Sequence, residues 1–349
     1  MTANADRVRI GLAGLGKMGL LHAATFNSLA GSEVVAAADP GPLVRSALAE
    51  MMPQVRAFAD VDEMLDAGGL DAVVITTPVG LHVPVALSCV ERGLPFFVEK
   101  PLAVSASQAE TLVLRLRERP TTNMVGFMTR YIDAFQKGRK IVGSQCLGRL
   151  QRVTASIYVS QLFARGTGWR YERETAGGGV LLSQGSHLLD LLTWYFGAVS
   201  RVNAEVHSVY SEEVEDFAHV MLEFESGLRA WMDCSWSVRH KRTVQTTIEI
   251  LGDNGSLVIT DEDVRLYLDD TAGGMAAGWT ILTAPDLYRG VEFDVGGPQY
   301  TREDQVFVAA LAGGHAAEPD VMQALHVQRI VDAAYASADK RGAPVTIAA

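Results

Sequence analysis

Cysteine is scarce in this sequence. The three cysteines, Cys89, Cys146 and Cys234, lie far apart among 349 residues and form no Cys-x-x-Cys pair. An odd number of scattered cysteines indicates neither a disulfide framework nor a zinc site. We therefore expect a protein of the reducing cytoplasm and no bound metal.

Positive charge is also in short supply. The chain contains 30 Lys and Arg residues and 41 Asp and Glu residues, which gives a formal net charge of −11. A surface of this sign repels phosphate backbones, so we do not expect nucleic acid as a partner.

A hydrophobic run of membrane-spanning length is missing too. The most apolar stretch, 180–199, contains Ser183, Gln184, His187 and Asp190, which predicts a buried amphipathic helix and no membrane association. Hydrophobic residues make up 48% of the chain and charged residues 20%, the balance of a globular protein. A length of 349 residues predicts two domains.

The first part of the chain alternates short apolar runs with helical periodicity, from Val8 to about Phe127. Strands that are apolar on both faces are typical of a parallel sheet covered by helices on both sides. The alternation predicts a doubly wound α/β domain, which we place at residues 1–127. The predicted helices are Lys17–Ala30, Pro42–Met52, Val61–Ala67, His82–Arg92 and Ser105–Arg119.

The pattern changes in residues 128–349. Alternating apolar residues on both sides of the Glu225-Ser226-Gly227 turn predict a hairpin with two distinct faces, and a second hairpin is expected at Asp253-Asn254-Gly255. A strand is predicted at 149–159 and helices at 180–196, 302–312 and 320–339. These residues should form an α+β domain around an open-faced, mainly antiparallel sheet. Trp231, opposite Met232, marks a face that we expect a second subunit to cover.

A glycine-rich turn follows the first predicted strand directly. Gly14, Gly16 and Gly19 have the spacing at which glycines allow a tight turn, close approach of a pyrophosphate and close helix–strand packing. The helix that opens with Lys17 and Met18 would offer its free N–H groups to the phosphates. By itself, this pattern also fits a glycine-rich turn with no ligand.

Asp39 supplies the second half of the dinucleotide signature. It ends the second predicted strand about 20 residues after the turn, where a carboxylate meets the ribose hydroxyls in dinucleotide-binding domains. A carboxylate repels a 2′-phosphate, so NAD is favoured over NADP. Arg45 lies close enough in sequence to offer that phosphate a counter-charge, and it fits a solvated helix residue equally well.

The segment Glu99-Lys100-Pro101 stands at the carboxyl end of the fifth predicted strand, the edge at which open α/β sheets bind ligands. A partly desolvated lysine near a cationic nicotinamide could have a lowered pKa and serve in proton transfer. Alternatively, Lys100 tethers a loop or pairs with Glu99, and its position alone does not decide between the two.

A third cluster follows three glycines, Gly177 to Gly179. On a regular helix, Ser183, His187 and Asp190 fall at i, i+4 and i+7, on one face. A hydroxyl, an imidazole and a carboxylate together among leucines suggest chemistry, although buried histidines are more often structural. Both interpretations stay open.

These clusters, in this order, resemble the Gfo/Idh/MocA family, the glucose-fructose oxidoreductase and inositol dehydrogenase group. The resemblance implies a Rossmann domain followed by an open-faced sheet that commonly mediates oligomerisation, so a homo-oligomer (dimer or tetramer) is expected. The segments that carry it span nearly the whole chain and are GLAGLGKMG, ITTPVGLHVPVA, FFVEKPLA, MVGFMTRY and GGGVLLSQGSHLLDLL.

The resemblance also implies roles for single residues. Lys100 matches the family lysine that acts near the reacting hydroxyl, and His187 matches the histidine that serves as acid/base in many members. Ser183 departs from the family pattern of Asp or Asn and holds no charge against His187, so Lys100 could carry more of the proton transfer. The expected cofactor-binding residues are Gly14, Gly16, Lys17, Met18, Gly19, Asp39, Arg45, Thr76, Thr77, Pro78, His82, Glu99 and Lys100. The expected substrate contacts are Trp169, Arg170, Ser183, Gln184 and His187.

The expected reaction is the reversible oxidation of a secondary hydroxyl on a sugar, a cyclitol or a glycoside such as a nucleotide sugar or an aminoglycoside. The acidic net charge tilts this expectation slightly towards a cationic amino-sugar. Two further functions fit the sequence. One is an NAD-dependent glycosidase that oxidises its substrate only transiently. The other is a non-catalytic dinucleotide-sensing protein, which the serine at position 183 alone supports.

Overall fold

The computed structural model describes residues 7–347 of the chain. Residues 7–128 and 291–325 form one compact unit, and residues 129–290 and 326–347 form a second. The sequence-based division at residue 127 did not include the return of 291–325 to the first unit. That return has a packing reason, because the ring of Phe307 lies 5.8 Å from that of Phe97 inside the unit.

Fifteen strands are present in the described residues. They are β1 (Val8–Ala13), β2 (Ser32–Ala38), β3 (Arg56–Phe58), β4 (Ala72–Ile75), β5 (Phe96–Glu99), β6 (Asn123–Gly126), β7 (Leu150–Tyr158), β8 (Val199–His207), β9 (Phe217–Phe224), β10 (Arg229–Ser235), β11 (Gln245–Gly252), β12 (Gly255–Thr260), β13 (Val264–Leu268), β14 (Gly278–Leu282) and β15 (Val345–Thr346).

Eleven α-helices are present in the same residues. They are α1 (Lys17–Ser28), α2 (Pro42–Met51), α3 (Val61–Asp66), α4 (His82–Glu91), α5 (Ala106–Glu118), α6 (Asp133–Gly143), α7 (Arg173–Ala176), α8 (Ser186–Phe196), α9 (Ala284–Leu287), α10 (Pro298–Gly313) and α11 (Val321–Asp339). None of the helices in residues 7–347 is long and apolar enough to cross a membrane.

The first unit is built on a parallel six-stranded sheet with the order β3-β2-β1-β4-β5-β6. Every residue of β4 and β5 is buried, as the near-continuous apolar runs predicted. Ala13 at the end of β1 is level with Ala38 of β2 and with Ile75 of β4. The loops after these three strands therefore begin at one edge of the sheet, where the strand order switches direction.

The five predicted helices of the first unit are all present, and each ends one or two residues before its predicted end. Helix α5 begins where the side chain of Ser105 accepts a hydrogen bond from the backbone N–H of Gln108, an N-cap of the usual kind.

Helix α6, in the second unit, was not predicted. Gly138 lies in its interior, and glycine lowers intrinsic helix propensity.

The second unit is built on a nine-stranded sheet with the order β14-β13-β12-β11-β7-β10-β9-β8-β15. Strands β7 and β10 pair in parallel and the other neighbours pair antiparallel, so both predicted hairpins and the mainly antiparallel open-faced sheet are confirmed. The two faces also differ as predicted. In β10, Met232 is 1% exposed, whereas its neighbour Trp231 is 46% exposed.

Candidate functional site

Glycines shape the turn between β1 and α1. Gly14 has φ +94°, a left-handed conformation that glycine adopts at little cost. A Cβ at Gly19 would lie 2.1 Å from the carbonyl oxygen of Gly14, so no larger residue allows this packing of helix on strand. A Cβ at Gly16 would meet none of the described atoms within 4 Å. The fold thus requires Gly14 and Gly19, and Gly16 leaves open space beside the backbone.

The first turn of α1 faces that open space. Gly16 is its N-cap residue and has no side chain with which to cap the first N–H groups. These groups and the partial positive charge of the helix end suit a phosphate. Lys17 is exposed here and Met18 is half-buried. The turn therefore fits the pyrophosphate of a dinucleotide, as the sequence predicted.

The Asp39 carboxylate is held at the same edge by backbone groups. Its Oδ2 accepts a hydrogen bond from the N–H of Leu15 at 2.9 Å, and its Oδ1 accepts one from the N–H of Gly41 at 2.8 Å. Each oxygen keeps a lone pair for a ribose hydroxyl. The guanidinium of Arg45 donates to the carbonyl oxygen of Asp39 at 2.6 Å, which places it beside this carboxylate rather than free in solvent.

The loop after β4 carries Thr76, Thr77 and Pro78. The Thr76 hydroxyl donates to the carbonyl oxygen of Gly14 at 2.8 Å and so ties this loop to the glycine turn. The Thr77 hydroxyl is buried and has no hydrogen-bond partner among the described residues. A buried hydroxyl left unsatisfied costs about 1–3 kcal/mol, and a bound molecule can supply the missing partner. The group therefore fits a site that a cofactor completes.

His82 joins two loops of this edge. Its Nδ1 lies 2.8 Å from the carbonyl oxygen of Pro101 and its Nε2 lies 2.8 Å from that of Thr77. Burial lowers the pKa of the imidazole, against the opposing effect of the two carbonyls. Both ring nitrogens contact backbone carbonyls, so His82 holds in place the loops that carry Thr77 and Lys100.

Lys100 begins the loop after β5 and is half-buried. Its backbone N–H donates to Oε2 of Glu99 at 3.0 Å, and Glu99 is only 7% exposed. In this hydrogen bond the main chain of Lys100 contacts the side chain of Glu99. It fixes the point from which the lysine side chain starts.

Two residues behind this loop were missed from the sequence. His22 of α1 lies between Glu99 and Asp304 of α10, with its Nε2 3.1 Å from Oε1 of Glu99 and its Nδ1 2.9 Å from Oδ1 of Asp304. His22 and Asp304 are both 0% exposed. The available signal was a single histidine in the apolar run after the glycine turn, and nothing nearby in sequence indicates its partner.

In the second unit, a buried carboxylate holds the segment that contains Ser183 and His187. Glu215 accepts hydrogen bonds from the N–H groups of Gly179 and Leu181, at 2.9 and 2.8 Å, and from the hydroxyl of Tyr335 at 2.9 Å. A Cβ at Gly179 would lie 2.1 Å from the carbonyl oxygen of Glu215, and one at Gly178 would lie 2.0 Å from the Tyr335 hydroxyl. The glycines therefore admit these two partners, which the sequence did not reveal.

The predicted helix at 180–196 is a π-helix over Leu181–Gly185 followed by α8. The π-turn changes the spacing of Ser183 and His187 from that of the regular α-helix that the sequence predicted. His187 is buried at 3% exposure, whereas Ser183 and Gln184 are half-buried. π-turns of this kind occur frequently at functional sites.

Asp190 is committed to another partner. Nε and Nη2 of Arg130 donate to its two oxygens at 2.7 and 2.6 Å, and the side chains are 4% and 0% exposed. Burial raises the pKa of Asp190, and Arg130 opposes that effect. Removing one partner of such a buried pair costs about 3–5 kcal/mol, which indicates a structural role.

Arg170 is exposed in a short 3₁₀-helix, Trp169–Tyr171, that precedes α7. The side chain of Trp169 lies outside the part of the chain that the structure describes. The ring of the next aromatic residue, Tyr171, lies 5.6 Å from that of Trp236.

Two family models match the chain. The model described as an oxidoreductase family with an NAD-binding Rossmann fold matches residues 8–127, and the model of the GFO/IDH/MocA C-terminal domain matches residues 135–258. Together they cover more than half of the sequence, and the resemblance that the motifs carry is confirmed.

Individual relatives match over almost the full length. D-apiose dehydrogenase of Paraburkholderia graminis is 26% identical over 346 residues, 97% of this chain and 89% of that protein. Levoglucosan dehydrogenase, solved in complex with NADH and L-sorbose, has a TM-score of 0.88 and 21% identity over 98% of this chain and 99% of that one. GenD2 from gentamicin A biosynthesis, solved in complex with NAD, has a TM-score of 0.81 and 26% identity over 99% and 98% of the two chains. The protein is a member of the Gfo/Idh/MocA family of oxidoreductases, with an NAD-binding Rossmann domain.

Proposed function

We propose that this protein catalyses the reversible oxidation of a secondary hydroxyl on a sugar or cyclitol ring, with NAD as hydride acceptor. The observation that carries the proposal is the half-buried Lys100, which follows β5 on the edge of the parallel sheet that also carries the glycine turn and Thr77. Two relatives of similar length are named as dehydrogenases of D-apiose and levoglucosan. Lysine is a proton carrier that burial can tune for acid–base work near neutral pH.

The first unit supplies the groups that would hold the dinucleotide. The glycine turn and the start of α1 suit the pyrophosphate, the Asp39 carboxylate suits the ribose hydroxyls, and the buried Thr77 hydroxyl offers a donor and an acceptor. When bound, NAD supplies a nicotinamide ring that accepts a hydride. The protein's own task is to orient the ring and to handle the proton of the alcohol.

Lys100 is the group that we assign to this proton. Its backbone is held from both sides, by Glu99 at the N–H and by His82 through the carbonyl of Pro101, so the side chain starts from a fixed point. We assign His187 as the second acid/base group, and Ser183, Gln184, Trp169 and Arg170 as substrate contacts. Ser183 brings a neutral hydroxyl that both donates and accepts, which suits recognition of sugar hydroxyls.

The proposed function can be tested by offering the protein a panel of substrates with NAD and measuring NADH formation by its absorbance. Neutral sugars, cyclitols, nucleotide sugars and aminoglycosides should be compared, since one solved relative belongs to gentamicin A biosynthesis. Net NADH formation with at least one class is the expected result. An amino-sugar substrate should also lose catalytic efficiency as salt rises, because salt screens the attraction of a chain with net charge −11. Cleavage of a glycoside without net formation of NADH would contradict this proposal and identify an NAD-dependent glycosidase. NAD binding without turnover of any substrate would support a non-catalytic dinucleotide-sensing protein.

Lys100→Met should lower kcat by about 10²–10⁴-fold, the usual contribution of general acid–base catalysis, because methionine has no proton to exchange. NAD affinity should change little, since the ammonium group is assigned to proton transfer and not to phosphate binding. The matched control is Lys140→Met, which replaces an exposed lysine of α6. Turnover of the Lys100 variant within a few-fold of the unmodified enzyme would assign Lys100 a structural role.

Asp39→Ser should weaken NAD binding and narrow the preference for NAD over NADP, because the repulsion of a 2′-phosphate is lost. Dissociation constants for both cofactors can be measured by fluorescence titration. Asp71→Ser is a suitable control, since the carboxylate of Asp71 also accepts a backbone hydrogen bond, from Arg9 at 2.8 Å. Equal affinity of the unmodified protein for NAD and NADP would contradict the assignment.

We also propose that the protein is a homo-oligomer, a dimer or tetramer, joined through the open face of the nine-stranded sheet. Strand pairing places Trp231 in one cross-strand row with Ile281, and Trp279 lies two residues from Ile281 on the same face. These side chains are 46%, 56% and 65% exposed, and burial of large apolar side chains against a second subunit would be favourable. Sedimentation at micromolar concentration should show a dimer or tetramer that Trp231→Lys weakens. A monomeric unmodified chain would refute the proposal.

A further inference from the structure

We propose that Asp304, His22 and Glu99 form a buried trio that positions Lys100, by fixing the Glu99 carboxylate against the backbone N–H of the lysine. The proposal rests on the role assigned above to Lys100. It makes His22 and Asp304 positioning residues, which act on the reaction only through Glu99 and the loop that follows it.

The trio joins three elements of the first unit. Helix α1 contributes His22, helix α10 contributes Asp304, and Glu99 ends β5. Oε1 of Glu99 contacts the imidazole at 3.1 Å, while Oε2 accepts the N–H of Lys100 at 3.0 Å. The two oxygens of one carboxylate therefore connect a buried histidine to the main chain of the proposed proton carrier.

The imidazole of His22 has carboxylate oxygens on both sides. Nδ1 lies 2.9 and 3.1 Å from the two oxygens of Asp304, and Nε2 faces Glu99. Ionised carboxylates only accept hydrogen bonds, so both ring nitrogens donate and the ring is an imidazolium. Burial by itself lowers the pKa of His22, but the two carboxylates outweigh burial and hold the pKa well above its ordinary value. Burial raises the pKa of the Asp304 carboxyl, and the neighbouring His22 opposes that shift.

The remaining surroundings of His22 are mostly aromatic. The rings of Phe97 and Phe26 lie 5.1 and 6.2 Å away, and Tyr300 meets the imidazole edge-on at 6.5 Å. Burial raises the pKa of the Tyr300 phenol, which stays neutral. Glu303, adjacent to Asp304 on α10, is also buried. In residues 7–347 no group of three or more His, Cys, Asp or Glu side chains is arranged to hold a metal ion, and this trio is no exception.

The geometry of the cluster points to positioning in addition to a structural role. Buried ion pairs are often no more stabilising than apolar side chains of the same volume, so three charged groups in a core add little stability of their own. A network with every partner satisfied does restrict geometry. The restriction here falls on residue 100, because Glu99 holds its N–H and His82 holds the carbonyl of the next residue.

A first experiment tests the direction of the pKa shift of His22. Its folded-state pKa lies above the unfolded value of about 6.5, so the stability it contributes is fully present below that pH and is lost as the pH rises through the folded value. Side-chain ¹⁵N NMR of the unmodified protein should show His22 with both ring nitrogens protonated at pH 7, above the ordinary pKa of about 6.5. A neutral His22 ring at pH 7 would overturn the charged trio.

The decisive experiment compares five variants: Lys100→Met alone, and His22→Gln and Asp304→Asn, each made alone and combined with Lys100→Met. His22→Gln should lower kcat by up to about 10²-fold, the scale of a misplaced catalytic group, and leave KM and NAD affinity within a few-fold. Combined with Lys100→Met, it should cause no further loss, because the trio acts through the lysine. His326→Gln is the control: the Nε2 of His326 accepts the backbone N–H of Val199 at 3.0 Å in the second unit, and its loss should not affect kcat.

The outcomes separate this proposal from the proposed function. An equal loss from His22→Gln with and without Lys100→Met would show that the trio acts independently of the lysine, and would overturn the proposal while Lys100 keeps its role. Retained turnover in Lys100→Met alone would instead remove the role of Lys100. Should His22→Gln not fold, Asp304→Asn keeps the side-chain volume and leaves the His22–Glu99 pair, and the same comparison applies to it.

Discussion

The first unit depends on the close contact between the glycine turn and the loop after β4. The N–H of Thr76 donates to the carbonyl oxygen of Ala13 at 2.8 Å, its hydroxyl donates to that of Gly14, and Gly19 has no room for a Cβ. This contact brings the ends of β1 and β4 level and leaves the first N–H groups of α1 open. The suitability of this edge for a dinucleotide follows from that backbone geometry, because the open helix end and the Asp39 carboxylate are both held beside it.

Buried carboxylates play corresponding roles in the two units. In the first, Glu99 joins the main chain of Lys100 to a buried histidine, and in the second, Glu215 receives the N–H groups at the start of the segment that leads to His187. Burial raises the pKa of Glu215, while the backbone donors and Tyr335 oppose the shift. Each carboxylate fixes the backbone near a proposed proton-transfer residue.

Most of the residues that we propose as substrate contacts in the second unit are uncharged. Asp190 is committed to Arg130, and position 183 has a serine hydroxyl. Hydrogen bonds, more than ion pairs, are therefore the interactions that these residues offer to a ligand. This chemistry agrees with the proposed oxidation of a ring hydroxyl on a sugar or cyclitol.

The sequence by itself determined whatever depends on neighbours along the chain. The glycine spacing and Asp39 indicated the dinucleotide edge, the apolar runs indicated a parallel sheet, and the alternation around residue 227 indicated a two-faced hairpin. These signals are local, because turn geometry, burial on both faces and the period of a strand are written within a few residues.

Tertiary structure alone decided the partners of the buried polar groups. His22 and Asp304 are 282 residues apart in sequence, and Arg130 and Asp190 are 60 apart. The return of 291–325 to the first unit and the π-turn before His187 were likewise absent from the local pattern. A buried charge needs a partner, but its own sequence neighbourhood does not say which distant residue provides it, because that pairing exists only once the chain has folded.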